Sequence, residues 1–159
     1  MGERRSAAIG AEAERRLAAD LFNRVWTLLE APARTDAGDE EMLHAAHASR
    51  HHWGEVGEPR HLARGEWQCS RVYAALGRPE PALHHAHRCL EICLAHRDAM
   101  EDFDEPFAHE ALARAHALAG QEGPAREHLA RGRELAARIA NEDDRRLAES
   151  ELDGVLIIP

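Results

Sequence analysis

Lysine is missing from this chain: all 20 basic residues are arginine, facing 29 carboxylates, for a formal charge of −9 with histidines neutral. Generic phosphate-backbone binding draws on a basic stripe, so no nucleic-acid partner is expected. Alanine-rich, lysine-free composition reads as the codon usage of a GC-rich bacterial genome. Long apolar runs are missing too, and no stretch approaches the ~18 residues of a membrane span. No membrane partner is therefore expected. β-branched residues are few and never alternate over a useful length, which argues against strands. The three cysteines, Cys69, Cys89 and Cys93, are an odd number without a framework spacing. They suit a reducing cytoplasm better than a secreted disulfide scaffold. There is no G-x-S-x-G, P-loop, dinucleotide fingerprint or H-E-x-x-H, so neither an enzyme nor a resident cofactor is expected.

The first residues, "MGERRSAAIGAEAERR", start charged but lead into no apolar segment, so they are not expected to act as a secretory signal. Met1, Gly2 and Ser6 formally fit the loose myristoylation pattern, and no other feature supports lipidation.

What the chain does contain is helical periodicity punctuated by proline and glycine. Leu17, Leu21, Val25 and Leu28 fall on one helical face, in a first segment from Glu12 to Leu29. "EAPARTDAG" reads as a break, and further helices follow at about 40–53, 62–76, 81–96, 106–118 and 123–139. A short charged helix, 142–152, precedes the apolar tail "VLIIP", whose Val155 to Ile158 are expected to pack back onto the helices.

An internal comparison is the most informative feature. "WQCSRVYAALGRPEPALHHAHRCLEIC" and "EALARAHALAGQEGPAREHLARGRELA" align on Gly77 and Gly120. Each glycine stands where a left-handed C-cap suits it. Ala82 and Ala125 lie five residues beyond, Ser70 and Ala113 seven before, and Tyr73 and His116 four before. Gly38 opens a weaker copy, giving glycine spacings of 39 and 43 residues.

Ser70, Tyr73, Gly77, Ala82 and Leu90 resemble the small-Tyr-Gly-small-Leu pattern of the tetratricopeptide repeat family, and Ala113, Gly120 and Ala125 repeat part of it. His116 replaces the tyrosine, the repeat-ending proline is missing, and the period exceeds the family's ~34 residues. The resemblance covers residues 62 to 139 well and the preceding part weakly. It implies an all-α fold, a right-handed stack of three antiparallel helical hairpins forming an α-solenoid with a short C-terminal capping helix. Residues 1–159 are read as a single domain: a degenerate first hairpin over 12–57, a second over 58–98, a third over 102–140, and a cap and tail over 141–159. The resemblance also implies a protein or peptide partner held in a concave groove.

Two triplets, thirteen, ten and six residues before their glycines, stand in matching register: Arg64, Trp67, Arg71 and Phe107, Glu110, Arg114. Spacing of i, i+3, i+7 puts each triplet on one helix face. Two apolar rings flanked by three arginines suit an extended segment carrying carboxylates, because arginine forks pair carboxylates bidentately.

The stretch "HAAHASRHHW" offers a second candidate. His44, His47 and His51 share one helical stripe, and imidazoles at i and i+3 or i+4 can meet one transition-metal ion. Glu66 or His61 would have to complete such a shell. His85, Cys89, Cys93 and His96 form another stripe, with Cys89 where a hairpin needs a small residue. Asp102, Asp104 and Glu105 read as carboxylates at the N-terminus of a helix, where the dipole favours them. At their ordinary pKa the 12 histidines are mostly neutral at pH 7 and charge on mild acidification.

Overall fold

A computed structural model describes residues 9–158, so the myristoylation-like start lies outside the described residues. Within them the chain is all-α, with no strand. The helices are α1 (Ala11–Leu29), α2 (Asp36–Val56), α3 (Pro59–Ala75), α4 (Pro79–Ala95), α5 (Asp104–Leu118), α6 (Glu122–Ala136) and α7 (Glu142–Asp153), with a 3-10 turn at Arg97–Ala99. Helices adjacent in sequence pack on one another throughout: α1 on α2, α3 on α4, α5 on α6, with α2–α3 and α4–α5 contacts joining them. α3 also packs directly on α5, and α7 lies against α5 and α6. No helix among the described residues is long and apolar enough to cross a membrane.

The repeated glycines end α3 and α5 in the same way. Gly77 and Gly120 adopt φ of 69° and 72°, a left-handed conformation that costs any other residue type its Cβ clearance. Arg78 N–H then donates to Tyr73 O and Gly77 N–H to Ala74 O, at 2.9 and 3.1 Å. Gln121 and Gly120 repeat the pattern onto His116 O and Ala117 O. Both are Schellman closures, which satisfy carbonyls the helix end leaves open. Tyr73 and His116 therefore share a position because the turn requires a carbonyl there, whatever their side chains do.

Four helices start two or more residues earlier than the sequence expectation: α2 at Asp36, α3 at Pro59, α4 at Pro79 and α5 at Asp104. The break was expected to run to Gly38, but α2 begins at Asp36, with Thr35 accepting from Gly38 N–H at 3.1 Å. A cap one turn earlier outweighs a glycine in the first turn. α4 begins at Pro79, a first-turn position where the missing N–H is harmless. Asp104 and Glu105 stand in the first turn of α5, where the dipole favours them, but no side chain caps that helix: Asp104 accepts from Glu101 N–H, and Asp102 reaches across to Ala140 N–H at 2.9 Å.

Much of the core is alanine, which lets helices approach closely but buries little apolar area per residue. Ala82 and Ala125 are fully buried at matching positions. Hydrogen bonds cross the tight contacts, with Ser70 donating to Ala82 O and Ser49 to Ala18 O, both at 2.8 Å. Larger side chains collect in three clusters, around Trp67, Cys93 and Leu112, around Val25, Met42 and Val72, and around Ile139 and Leu152. In the last cluster Leu152 of α7 approaches α6 so closely that a Cβ at Gly132 would meet its Cδ2 at 2.7 Å. The tail only half follows its expectation. Val155 is buried, whereas Leu156 and Ile158 remain 79% and 83% exposed.

Candidate functional site

The two triplets do converge, because α3 packs on α5, but they converge on carboxylates of the chain itself. Glu110, only 1% exposed, is the hub. It accepts from Trp67 Nε1 at 2.9 Å and from Arg114 Nε at 2.6 Å. Arg114 also reaches Glu151 O of α7 at 3.3 Å. Arg71 Nη1 stands 3.1 Å from Glu151 Oε2 and 3.5 Å from Glu110 Oε1, buried but with no hydrogen bond aligned to either. Burial pushes the Glu110 carboxyl above its ordinary range, against the pull of Arg114 and Arg71. Arg64 lies further along α3, paired bidentately with Asp104 at 2.8 and 3.1 Å, its guanidinium 4.9 Å over the Phe103 ring. Phe107 meets Trp67 edge-on, 5.6 Å between centroids.

All six residues thus occupy one region, yet the arginines are not waiting for an incoming carboxylate. Asp104, Glu110 and Glu151 already neutralise most of their charge. Arg71 alone keeps an unaligned donor.

Two cavities open along this region. The larger, about 590 Å³, is walled by Arg71, Arg114, Glu151, Leu118 and the exposed tail side chains Leu156 and Ile158. The second, about 280 Å³, is walled by Arg64, Trp67 and Phe107 together with Phe22, Trp26 and Phe103. Trp26 and Glu151 line both, so the cavities adjoin. Sequence reasoning missed Phe22, Trp26 and Glu151. The i, i+4 spacing of Phe22 and Trp26 was an available signal, whereas Glu151 comes from α7 and carries no local one.

The histidines are dispersed among other partners. His44 and His51 are exposed on α2. His47 turns inward, its Nε2 2.9 Å from the Tyr73 hydroxyl and its ring edge-on to His85. Burial, together with His85, pushes the His47 pKa down. Glu66 is occupied by Arg50 at 2.9 Å and His85 at 2.6 Å, and His61 accepts from Glu58 N–H while stacking on Trp53. Among the described residues no three His, Cys, Asp or Glu side chains come together as a metal shell needs. Cys89 and Cys93 are buried in the core and free, with the hydrogen bond to Cys93 and then burial pushing the Cys89 thiol well up.

A second histidine group lies between α4, α5 and α6. His109 and His128 face each other through their Nδ1 atoms at 3.0 Å, and His116 stacks on His128 with ring centroids 5.5 Å apart. Burial, then His128 and Arg131, push His109 down to about 4. Helical periodicity cannot show such cross-helix pairs.

No protein-family model, curated protein or solved structure matches the chain.

Proposed function

We propose that this chain is a non-catalytic helical-repeat interaction module, similar to tetratricopeptide repeats, that holds a segment of a partner protein across α1, α3 and α5. In this reading the seven helices form a right-handed stack of three antiparallel hairpins capped by α7. The pairings of α1 with α2, α3 with α4 and α5 with α6 support it, as do the matching closures at Gly77 and Gly120. The observation that carries the binding role is the pair of adjoining cavities, with the partly exposed side chains of Arg71 and Arg114 on the wall of the larger one.

An extended segment laid across both would place an acidic group against Arg71. Desolvated guanidinium–carboxylate contacts fix orientation more than they add affinity. The apolar walls supply the buried area, as interface anchors do. The experiment is an array of acidic peptides probed with the full chain and with Arg71→Glu. Retained peptides should be lost on charge reversal and weakened by salt, since about 0.15 M salt screens exposed charges beyond roughly 8 Å. An array that retains nothing, or retains the same peptides with Arg71→Glu, overturns the reading.

A further inference from the structure

The chain is poor in aromatics, with three Trp, three Phe and one Tyr, yet five of these seven residues, Phe22, Trp26, Trp67, Phe103 and Phe107, line the smaller cavity. Trp26 and Trp67 face each other with centroids 5.4 Å apart and planes tilted by 33°, while Phe107 stands at 77° to Trp67. These pairs touch and leave no gap between their rings, so a ring entering the cavity meets the faces and edges that they leave toward it, the two arrangements that aromatic quadrupoles favour. Trp67 cannot swing away to fill the space, because its Nε1 is tied to Glu110.

Size and charge narrow the occupant. A dry cavity of about 150 Å³ suffices for benzene. One of about 280 Å³ has room for roughly two fused rings. A water cluster is a poor occupant, because a buried water needs two to four polar partners and these walls are almost wholly apolar. A cation is a poor occupant as well. Asp104 is neutralised by Arg64, Glu151 faces Arg71 and Arg114, and the Phe103 ring already carries the Arg64 guanidinium.

We propose that this cavity binds a planar, uncharged bicyclic aromatic group, indole- or naphthalene-sized, entering past Leu147 on α7. Leu147 is 55% exposed at the mouth. The group can be a free small molecule or a tryptophan side chain of a docked segment; the chemistry of recognition is the same. The second source rests on the groove reading and the first does not, because free indole has no backbone or carboxylate with which to use the Arg71 cavity.

The test is calorimetric titration of the full chain with indole and, separately, with a blocked hexapeptide carrying one tryptophan among alanines and serines. For the nine heavy atoms of indole a dissociation constant of roughly 0.1–1 mM is expected. Leu147→Arg, an exposed change that leaves the core intact, should weaken binding at least tenfold. Ala63→Leu, which fills the cavity from α3, should abolish it, with a thermal melt confirming that the variant is folded. A peptide that binds more tightly than indole assigns the ring to a partner segment, and indole binding alone assigns it to a small molecule; either supports the site. The proposal is overturned if neither probe binds the folded protein near its solubility limit. Affinities that both substitutions leave within twofold of wild type would overturn it equally.

Discussion

Replacing Glu110 by alanine should be among the most damaging single changes in this protein. The substitution removes a carboxylate that is 1% exposed and serves three groups at once: the Trp67 indole N–H at 2.9 Å, Arg114 at 2.6 Å and Arg71 at 3.5 Å. Removing one partner of a buried ion pair costs about 3–5 kcal/mol, because the charge left behind is uncompensated. Here the cost is moderated, since the Arg71 and Arg114 side chains keep 24% and 21% exposure and both still reach Glu151. An orphaned indole N–H adds about 1–3 kcal/mol in the other direction. The expected total is about 3–5 kcal/mol, read as a fall in urea midpoint at unchanged slope. In a domain of this size it corresponds to roughly a 10 °C fall in Tm. Glu110→Gln keeps the acceptor for Trp67 and most of the shape but loses the charge, so it should fall between wild type and Glu110→Ala. A loss under about 1 kcal/mol for Glu110→Ala would refute the reasoning, because the triad would then be a solvated ion pair.

Acidification should destabilise the fold through its buried histidines, an effect that the raised Glu110 carboxyl opposes. The unfolded chain protonates His109 near 6.5, whereas the folded chain resists until about 4. Between those values the unfolded state binds more protons, so stability falls as pH falls, by about 3 kcal/mol for this residue over the whole window. His47, His61 and His128, also held down by burial, act in the same direction. Urea midpoints measured from pH 7.5 to 5.0 should decline, less steeply in His109→Gln; a flat profile would contradict the burial of these rings. Gly77→Ala and Gly120→Ala meet no atom within 4 Å, so each should cost only the left-handed backbone penalty, about 1–2 kcal/mol. Calorimetric melts check this, and near-neutral effects would mean that the Schellman turns relax freely. Gly132→Ala should loosen α7 by driving a methyl into Leu152, visible as faster hydrogen exchange over residues 142–153; unchanged protection there would refute it.

The helices were legible because their ends are written locally. Gly77 and Gly120 close α3 and α5, and their shared offsets to Ser70, Ala82, Ala113 and Ala125 reveal a repeated packing register. Ends were misread where one local signal competed with another, as at Gly38, where the Thr35 cap prevails. For the site, periodicity alone placed Arg64, Trp67 and Arg71 on one face and Phe107, Glu110 and Arg114 on another. What it could not show is who partners whom. Asp104 claims Arg64 and Glu151 claims Arg71 through contacts spanning dozens of residues that leave no spacing to read, whereas the Glu110–Arg114 pair, at i and i+4 on α5, was open to a sequence reading. The histidine stripe failed as a cluster for the same reason. His47 shares its helix with His44 and His51 but spends its hydrogen bond on Tyr73 of α3.

The most direct test of the interaction reading uses the three tryptophan indole N–H signals in a ¹⁵N-labelled sample. Trp26 and Trp67 line the paired cavities, whereas Trp53 stacks on His61 and lines neither. Adding an acidic peptide recovered from the array should shift the Trp26 and Trp67 signals saturably and leave Trp53 in place. A shift confined to Trp53, or three unmoved signals at saturating peptide, would contradict binding across α1, α3 and α5.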